Sequence, residues 1–264
     1  MTLDLRRFLC YTYSQNFLKM KRGEDTTMHY TNQNTQIYVY AMPVLDSRMY
    51  IIINDKNNKE ALIIDPLRDP EALAVIRQLN YATVLLTHSH YDHISGVNWL
   101  REQLNCTLLC SEICAEHIKD SHKNLSAFSS ALILDKTEEE QAQCMSFFDM
   151  DYTCQADKTF DRETSFTFGS YQVEIIHTPG HSECSQCIRL FTDKKGLTPE
   201  LIFTGDSLVN GHDIITRLPG GSKRDYRAVT KPYLDSLAPD TLIMPGHGEW
   251  GTKAMLSHSS DTIS

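Results

Sequence analysis

The sequence predicts a single α/β domain with a site at the ends of its strands. With 264 residues the chain is longer than a small domain but short for two full domains, so one large domain is expected. Short apolar runs rich in β-branched residues alternate with segments of helical spacing, and the order strands, helix, strand and loop occurs twice. Several apolar runs end in a short turn that carries a histidine or an aspartate. The repeated order indicates two similar halves.

The composition restricts the classes of partner. Lysine and arginine number 25 against 34 aspartates and glutamates, which gives a formal net charge of -9. Because a net negative field works against polyanion binding, no general nucleic-acid partner is expected. No apolar run is long enough to cross a bilayer, so no membrane partner is expected either.

The cysteines predict a reducing compartment. The chain has 8 cysteines but is far larger than disulfide-dependent scaffolds, and its N-terminal region lacks the apolar core of a signal peptide. We therefore expect a cytoplasmic protein with free thiols. Cys106, Cys110 and Cys114 are four apart, but a predicted strand-to-helix change would separate them. Cys184 and Cys187 form a lone CxxC, which is a weak redox signal, so packing roles are expected for both groups.

The pattern divides the chain into four regions. Residues 1–29 lack a sustained period and are predicted to be an N-terminal extension, in which Met28 is a hypothetical second start. Residues 30–250 form the predicted domain, and 251–264 a short polar tail. Within the domain, residues 120–157 are the least regular and are interpreted as an inserted lid or as ordinary packing.

The elements of the first half follow from alternation and turn residues. Three strands before the first helix form a predicted β-meander, and Pro70 marks the start of that helix. We predict strands over residues 37–44, 49–53, 61–66, 81–86 and 106–110, and helices over 70–79, 94–104 and 111–119, with weak helical character over 137–148.

The second half begins when the alternating pattern returns after residue 158. We predict strands over residues 159–169, 170–180, 184–191, 200–208 and 241–248, and a helix over 226–237. A loop rich in glycine and arginine precedes that helix.

The segment THSHYDHISG, residues 87–96, carries the strongest functional signal. It follows an apolar strand and precedes a helical pattern. Residues two apart in an extended segment point the same way, so His88 and His90 can bind one ion together. Asp92 and His93 lie on the turn into the helix and face a second ion. Imidazole and carboxylate groups without thiolate suit zinc, iron or manganese.

Three later turns supply further ligands. His181 follows the strand in IIHTPGHS, Asp206 lies in LIFTGDS and His247 lies in LIMPGHG, each beside a glycine that allows a tight bend. Two complete metal sites result, with Asp206 as the bridge between them. The first set is His88, His90 and His181, and the second is Asp92, His93 and His247.

The motifs THSHYDH, TPGHS, FTGDS and PGHG, in this order, resemble the metallo-β-lactamase superfamily and most closely its glyoxalase II-like (hydroxyacylglutathione hydrolase-like) branch. The resemblance covers about residues 38–249. It implies an αββα sandwich, in which two mixed β-sheets pack face to face between helices. It also implies two divalent ions, usually zinc, in a groove at one edge. Asp65, in LIIDP, matches a family aspartate that supports the ligand loop.

The sequence departs from the family pattern in two places. True glyoxalase II has a C-terminal helical region that binds glutathione, whereas few residues follow His247, so glutathione is not the expected carrier. In the loop after Asp206, the Gly-Arg pair of many relatives is replaced by Ile214 and Ile215. The remaining candidates for binding an anionic substrate group are Arg217, Lys223, Arg224 and Tyr226, with a solvated charged loop as the alternative.

The expected activity is hydrolysis of a thioester, with lactones and other esters next. A water between two cations loses a proton near neutral pH and attacks a carbonyl, and Asp92 is the predicted catalytic residue that orients it. Relatives with β-lactamase activity do not use a bridging aspartate, so Asp206 argues against antibiotic hydrolysis. Two alternatives are a mononuclear-iron persulfide dioxygenase and a metal-bearing binding protein without turnover. His177 and His212 are not predicted to be ligands.

Overall fold

A computed structural model describes residues 28–32, 35–42, 44–133, 137–192, 200–209 and 213–259. In these residues a seven-stranded and a six-stranded β-sheet pack face to face, and helices lie on the outer faces. The predicted αββα sandwich of two mixed sheets is confirmed.

The seven-stranded sheet has its strands in chain order. They are β1 (Met28–Asn32), β2 (Thr35–Ala41), β3 (Arg48–Ile53), β4 (Glu60–Ile64), β5 (Tyr81–Leu85), β6 (Cys106–Ser111) and β7 (Lys158–Phe160). Strands β1 to β4 pair antiparallel, which is the predicted meander, and β4 to β7 pair parallel. Parallel pairing requires crossover segments, and these carry the helices and the ligand loop.

The six-stranded sheet has the order β13-β12-β11-β10-β9-β8. Its strands are β8 (Thr164–Phe168), β9 (Tyr171–His177), β10 (Gln186–Phe191), β11 (Leu201–Gly205), β12 (Leu242–Pro245) and β13 (Gly251–Thr252). Only the β11–β12 pair is parallel, and this arrangement brings the turns that follow these two strands to the same edge.

The helices are short. The α-helices are α1 (Leu73–Ile76), α2 (Tyr91–Ile94), α3 (Val97–Gln103), α4 (Glu112–His117), α5 (Glu138–Met145), α6 (Lys223–Asp225), α7 (Lys231–Ser236) and α8 (Lys253–Ser259). Segments of 3-10 helix cover Pro70–Ala72 and Ser126–Ile133, and a π-helix covers Tyr226–Thr230. In the described residues, no helix has the length and apolar character that a membrane span requires.

Alternation along the strands produces two apolar layers. One face of β3 sends Tyr50 and Ile52 between the sheets, where they meet Phe203 from β11. The other face sends Met49 and Ile51 toward the helices. Both faces of this strand are therefore buried, as expected for a strand inside a sandwich.

The helices predicted over 70–79 and 94–104 differ in extent from the prediction. The helix over 70–79 ends at Ile76 in a tight turn, in which Gln78 N and Leu79 N donate to carbonyls three residues earlier. The helix over 94–104 begins earlier and breaks at Gly96, whose backbone N donates to Pro66 O at 2.8 Å. A Cβ at Gly96 would lie 2.3 Å from the carbonyl carbon of Leu67, so close packing explains the break.

The predicted ends of the domain need correction. The boundary at residue 29 lies inside β1, which pairs with β2. The predicted tail from residue 251 includes β13 and α8, because Gly251 and Thr252 pair with β12 and extend the sheet. Most of the predicted extension and residues 260–264 lie outside the described residues, and the second-start hypothesis stays a prediction.

The segment 120–157 packs on the helix that follows the ligand loop. Tyr91 N donates to Asn124 O, and Tyr152, which is 7% exposed, donates its hydroxyl to Ile94 O at 2.8 Å. These contacts support ordinary packing at both ends of the segment. A lid function stays a prediction.

We expect Phe203→Ala to destabilise the domain strongly. Phe203 is 0% exposed and its ring lies 5.0 Å from that of Tyr50, centroid to centroid. Removing a buried phenyl group loses apolar burial and leaves a cavity, so the free energy of unfolding should fall by about 3–5 kcal/mol. Urea unfolding measures this, with Phe128→Ala as the control, because Phe128 is 50% exposed. Equal losses of unfolding free energy in the two variants would contradict the placement of Phe203 in the apolar layer between the sheets.

Candidate metal centre

The ligand loop leaves β5 at the edge where the two sheets meet. Thr87 N donates to Asp65 Oδ1 at 2.7 Å, which fixes the first residue after the strand. His90 has extended backbone and directly precedes α2, so the chain changes direction between the two predicted ligand pairs. The turns after β9, β11 and β12 bring His181, Asp206 and His247 to the same edge.

The first predicted set is assembled as three buried imidazoles. His88 Nε2 lies 3.1 Å from His90 Nδ1, and His181 Nε2 lies 2.9 Å from the same nitrogen. All three residues are at most 5% exposed. Their ligand atoms lie within 4.8 Å of one another, as a single ion requires.

The second predicted set lies beside the first. Asp92 Oδ2 is 3.4 Å from His93 Nε2 and 3.3 Å from His247 Nε2, and the two histidine nitrogens are 3.3 Å apart. Asp206 lies between the sets: its Oδ2 is 3.5 Å from His181 Nε2 and from His247 Nε2, and its Oδ1 is 3.4 Å from His93 Nε2. This is the position expected of a bridging carboxylate.

A hydrogen-bond chain from Asp65 sets the direction of two rings. Thr87 Oγ1 donates to Asp65 Oδ2 at 2.6 Å and accepts from His88 Nδ1 at 3.1 Å. His93 Nδ1 donates to the same carboxylate at 2.9 Å. Both rings therefore carry their proton on Nδ1 and present Nε2 to the centre. The family role of Asp65 agrees with these contacts.

Backbone carbonyls do the same for two other rings. His181 Nδ1 donates to Ile215 O and His247 Nδ1 donates to Leu45 O, each at 2.8 Å. Neither acceptor is predictable from the sequence, because every residue has a carbonyl and no side-chain signal marks these two. Each ring again turns its Nε2 toward the centre.

This arrangement fits cations and is poorly satisfied without them. Ring nitrogens of several imidazoles face one another across about 3 Å, with no acceptor of the described residues between them. Asp206 Oδ1 is shielded from solvent and has no hydrogen-bond partner among the described residues. Metal–nitrogen bonds of about 2.0–2.1 Å to a shared ion place two ligand atoms about 3.3 Å apart in a tetrahedral site. The donor set therefore suits two neighbouring divalent ions.

The pKa values of the histidines differ between the two sets. Burial and the neighbouring His181 lower the pKa of His90 to about 4. Burial, with His93 and His90 nearby, also lowers the pKa of His88. For His93 burial opposes protonation, but Asp92 and Asp206 outweigh it and raise its pKa well above the usual value. His88 and His90 are thus neutral near pH 7, whereas His93 holds a proton.

The predicted substrate contacts lie farther out. Arg217, Lys223 and Arg224 are exposed and make no hydrogen bond or ion pair with the seven ligand side chains in the described part of the chain. Tyr226 is partly buried and packs against Gly180, the residue before His181. Their proposed contacts with substrate therefore depend on the substrate's length.

The remaining side chains singled out by the sequence have other partners. His177 Nε2 lies 2.9 Å from Glu183 O and outside the ligand clusters, and His212 is outside the described residues. Cys184 Sγ donates to Ser89 Oγ at 3.3 Å, whereas Thr178 Oγ1 donates to Cys187 Sγ, so the two cysteines of the CxxC have different partners. The trio at 106, 110 and 114 forms no metal-binding group among the described residues.

We expect ion binding at the second set to release protons near pH 7. His93 is protonated there because its folded-state pKa is raised, and an ion must displace that proton, whereas His88 and His90 are already neutral. Titration calorimetry of the metal-free protein with Zn²⁺, in two buffers of different ionisation enthalpy, counts the protons. Affinity for this ion should also weaken as the pH falls. Release of equal numbers of protons at the two sites would contradict the assignment of the bound proton to His93.

We expect Gly246→Ala to impair metal binding. A Cβ at this position would lie 2.4 Å from Asp206 Oδ1 and 2.8 Å from His93 Cε1, so both ligands must move. Metal affinity should fall by about tenfold or more. Competition with a chelator measures the affinity, and Gly251→Ala is the control, because its nearest contact would be an ordinary 3.6 Å from Leu256. Equal affinities in the two variants would exclude this close approach.

Comparison with known proteins supports the same interpretation. The family model described as "Metallo-beta-lactamase superfamily" matches residues 43–247. An uncharacterized protein of Mycobacterium tuberculosis is 27% identical over 203 residues, covering 75% of this chain and 84% of the relative. A protein named hydroxyacylglutathione hydrolase GloC, from Haemophilus influenzae, is 29% identical over 203 residues, which cover 74% of this chain and 84% of that relative.

The solved structures agree in fold. The crystal structure of the BLEG-1 B3 metallo-beta-lactamase is 26% identical with a TM-score of 0.64, and the alignment covers 86% of this chain and 98% of that one. The family match spans most of the chain and includes all seven clustered ligand side chains. The protein therefore belongs to the metallo-beta-lactamase superfamily.

Proposed function

We propose that this protein is a metal-dependent hydrolase of thioesters, with lactones and other esters as the next substrates. The observation that carries the proposal is the two neighbouring sets of ligand atoms with the Asp206 carboxylate between them. The similarity to a protein named hydroxyacylglutathione hydrolase supports an acyl–sulfur substrate. Cleavage of a β-lactam is an outcome to test, because a B3 metallo-beta-lactamase is among the similar structures.

The proposed cofactor is a pair of divalent ions, zinc in the first place and iron or manganese as alternatives. His88, His90 and His181 would hold one ion, Asp92, His93 and His247 the other, and Asp206 would contact both. Bound ions would supply a Lewis acid that polarises a carbonyl group and lowers the pKa of a water molecule.

The exposure of the ligands indicates the side from which substrate enters. The side chains of Asp92, Asp206 and His247 are 17%, 15% and 23% exposed, whereas His88, His90 and His181 of the first set are at most 5% exposed. Substrate and the attacking water therefore approach over the second set. The buried first set excludes solvent from the opposite side.

Asp92 is the proposed catalytic residue. Burial opposes its ionisation, but His93 and His247 lower its pKa below the usual range, so the carboxylate is ionised at neutral pH. An ionised carboxylate on the open side accepts a hydrogen bond from the attacking water and orients it toward the carbonyl carbon. Arg217, Lys223 and Arg224 are exposed on the neighbouring loop, where they are proposed to contact an anionic part of the substrate.

The free thiols support a reducing compartment. The described residues include six unpaired cysteines, and all of them except Cys106 are buried. We propose a cytoplasmic location and a small-molecule partner. The net charge of -9 gives no support to a nucleic-acid substrate.

Metal analysis and a substrate panel test the proposal together. Protein purified without added metal is analysed for zinc, iron and manganese, and then assayed with thioesters, lactones, a β-lactam and a persulfide. Two ions per chain with thioester hydrolysis would support the proposal. One iron per chain, with oxygen consumption on the persulfide and no hydrolysis, would replace it with the dioxygenase. Two ions without turnover on any substrate would favour a binding protein.

We expect Asp92→Asn to reduce kcat by about 100-fold or more, because an amide does not accept the water's proton. Thermal unfolding of the variant should change little by comparison. Activity is measured at matched metal content, with Asp161→Asn as the control, since Asp161 is exposed and outside the centre. Unchanged turnover in Asp92→Asn at full metal content would remove Asp92 from the catalytic role.

A further inference from the structure

A second concave surface lies outside the metal centre. It is a groove of about 1130 Å³, and its wall includes none of the seven ligand side chains. One wall consists of Phe147, Phe148 and Asp149 from segment 120–157, and the opposite wall includes Trp99 of α3. This volume is somewhat above the range of about 300–1,000 Å³ that is usual for sites of small organic molecules, so a small molecule would fill only part of the groove.

The groove is preformed by hydrogen bonds. Tyr91 OH donates to Phe147 O at 3.1 Å and accepts from Asp149 N at 2.9 Å. Tyr152 OH accepts from Asn98 N at 3.2 Å. Because backbone groups of both walls take part, the groove does not depend on exposed side chains for its shape. A ligand would therefore find little ordering left to complete.

Five aromatic residues line the groove, namely Tyr91, Trp99, Phe147, Phe148 and Tyr152. Tyr91 lies 5.4 Å from Tyr152 and 6.3 Å from Phe148, ring centroid to ring centroid. Phe147 lines the groove and is 44% exposed, so part of its ring is accessible to a ligand. Aromatic faces carry a negative quadrupole and attract cations.

The charges around the groove have one predominant sign. Arg68 is its single lining cation, and the lining carboxylates are Asp69, Glu71, Glu102, Asp149 and Asp151. Among the described residues, Asp69, Glu102, Asp149 and Asp151 form no ion pair with a lysine or arginine. The field in the groove is therefore negative next to apolar rings. Ser95 also lines the groove, and its Oγ has no hydrogen-bond partner among the described residues.

We propose that this groove binds a small organic cation whose charged nitrogen carries apolar groups, such as an alkylammonium or quaternary ammonium ion. The carboxylates select the charge, and the aromatic rings contact the apolar groups and the face of the cation. A neutral or anionic molecule of the same size gains only part of these contacts. The groove contributes no metal ligand, so the proposal does not rest on the proposed hydrolase activity.

Tryptophan fluorescence tests this binding directly. The chain has 2 tryptophans, Trp99 in the groove wall and Trp250 outside it, so the Trp250→Phe variant reports on the groove alone. The full-length, metal-loaded variant is titrated with benzyltrimethylammonium, benzyl alcohol and benzenesulfonate. We expect saturable change with the cation and about tenfold weaker binding of the other two. The Trp99→Phe variant should show no saturable change.

A variant with fewer carboxylates tests whether these groups cause the preference for a cation. In the Trp250→Phe background, Glu102→Gln combined with Asp149→Asn should weaken cation binding by about fivefold. The control is Asp240→Asn, because Asp240 is exposed and does not line the groove. Circular dichroism confirms that each variant is folded. Binding of benzyl alcohol as tight as that of the cation, an unchanged Trp99 signal, or equal cation affinity in the double variant and the control would overturn the proposal.

Discussion

The metal centre depends on one buried carboxylate, that of Asp65. It lies at the end of β4, is 1% exposed and accepts hydrogen bonds from Thr87 N, Thr87 Oγ1 and His93 Nδ1. Its backbone φ is +51°, a conformation that costs a non-glycine residue about 1–3 kcal/mol. The strain persists because this conformation places both carboxylate oxygens on the ligand loop. Through Thr87 it orients His88 of the first set, and directly it orients His93 of the second.

The two sheets are joined at the same place. Gln186 at the start of β10 donates from its backbone to Thr87 O at 2.8 Å and from its side chain to Leu86 O at 2.6 Å. On the other side, Tyr50 OH of β3 donates to Pro245 O at 2.6 Å, two residues before His247. Each sheet supplies part of the ligand set, so these contacts fix the distance between the parts. The geometry of the centre is therefore a property of the sandwich and not of one loop.

Much of this could be predicted from the sequence, and the features that could not be predicted have two physical causes, contacts between distant residues and very short elements. The strands were predictable because both their burial and their turn residues follow local rules, and the ligands because imidazole and carboxylate side chains recur after apolar strands. The break at Gly96 was not predictable, since it results from packing on Leu67, which is distant in sequence. The carbonyls of Leu45 and Ile215 were missed for the same reason. Strand β13 has two residues, too few for a periodic signal.

The helical segment after the ligand loop has two functional sides. Asp92 and His93 face the proposed metal centre. Tyr91, Ser95 and Asn98 lie at the spacing of one helical face and line the groove described above. The break at Gly96 does not disturb this division, because Tyr152 contacts both parts through Ile94 O and Asn98 N. The irregular segment 120–157 thus builds the groove and also supports the helix that carries two of the proposed metal ligands. Its packing role and the proposed binding role are compatible, since different atoms of the segment serve each.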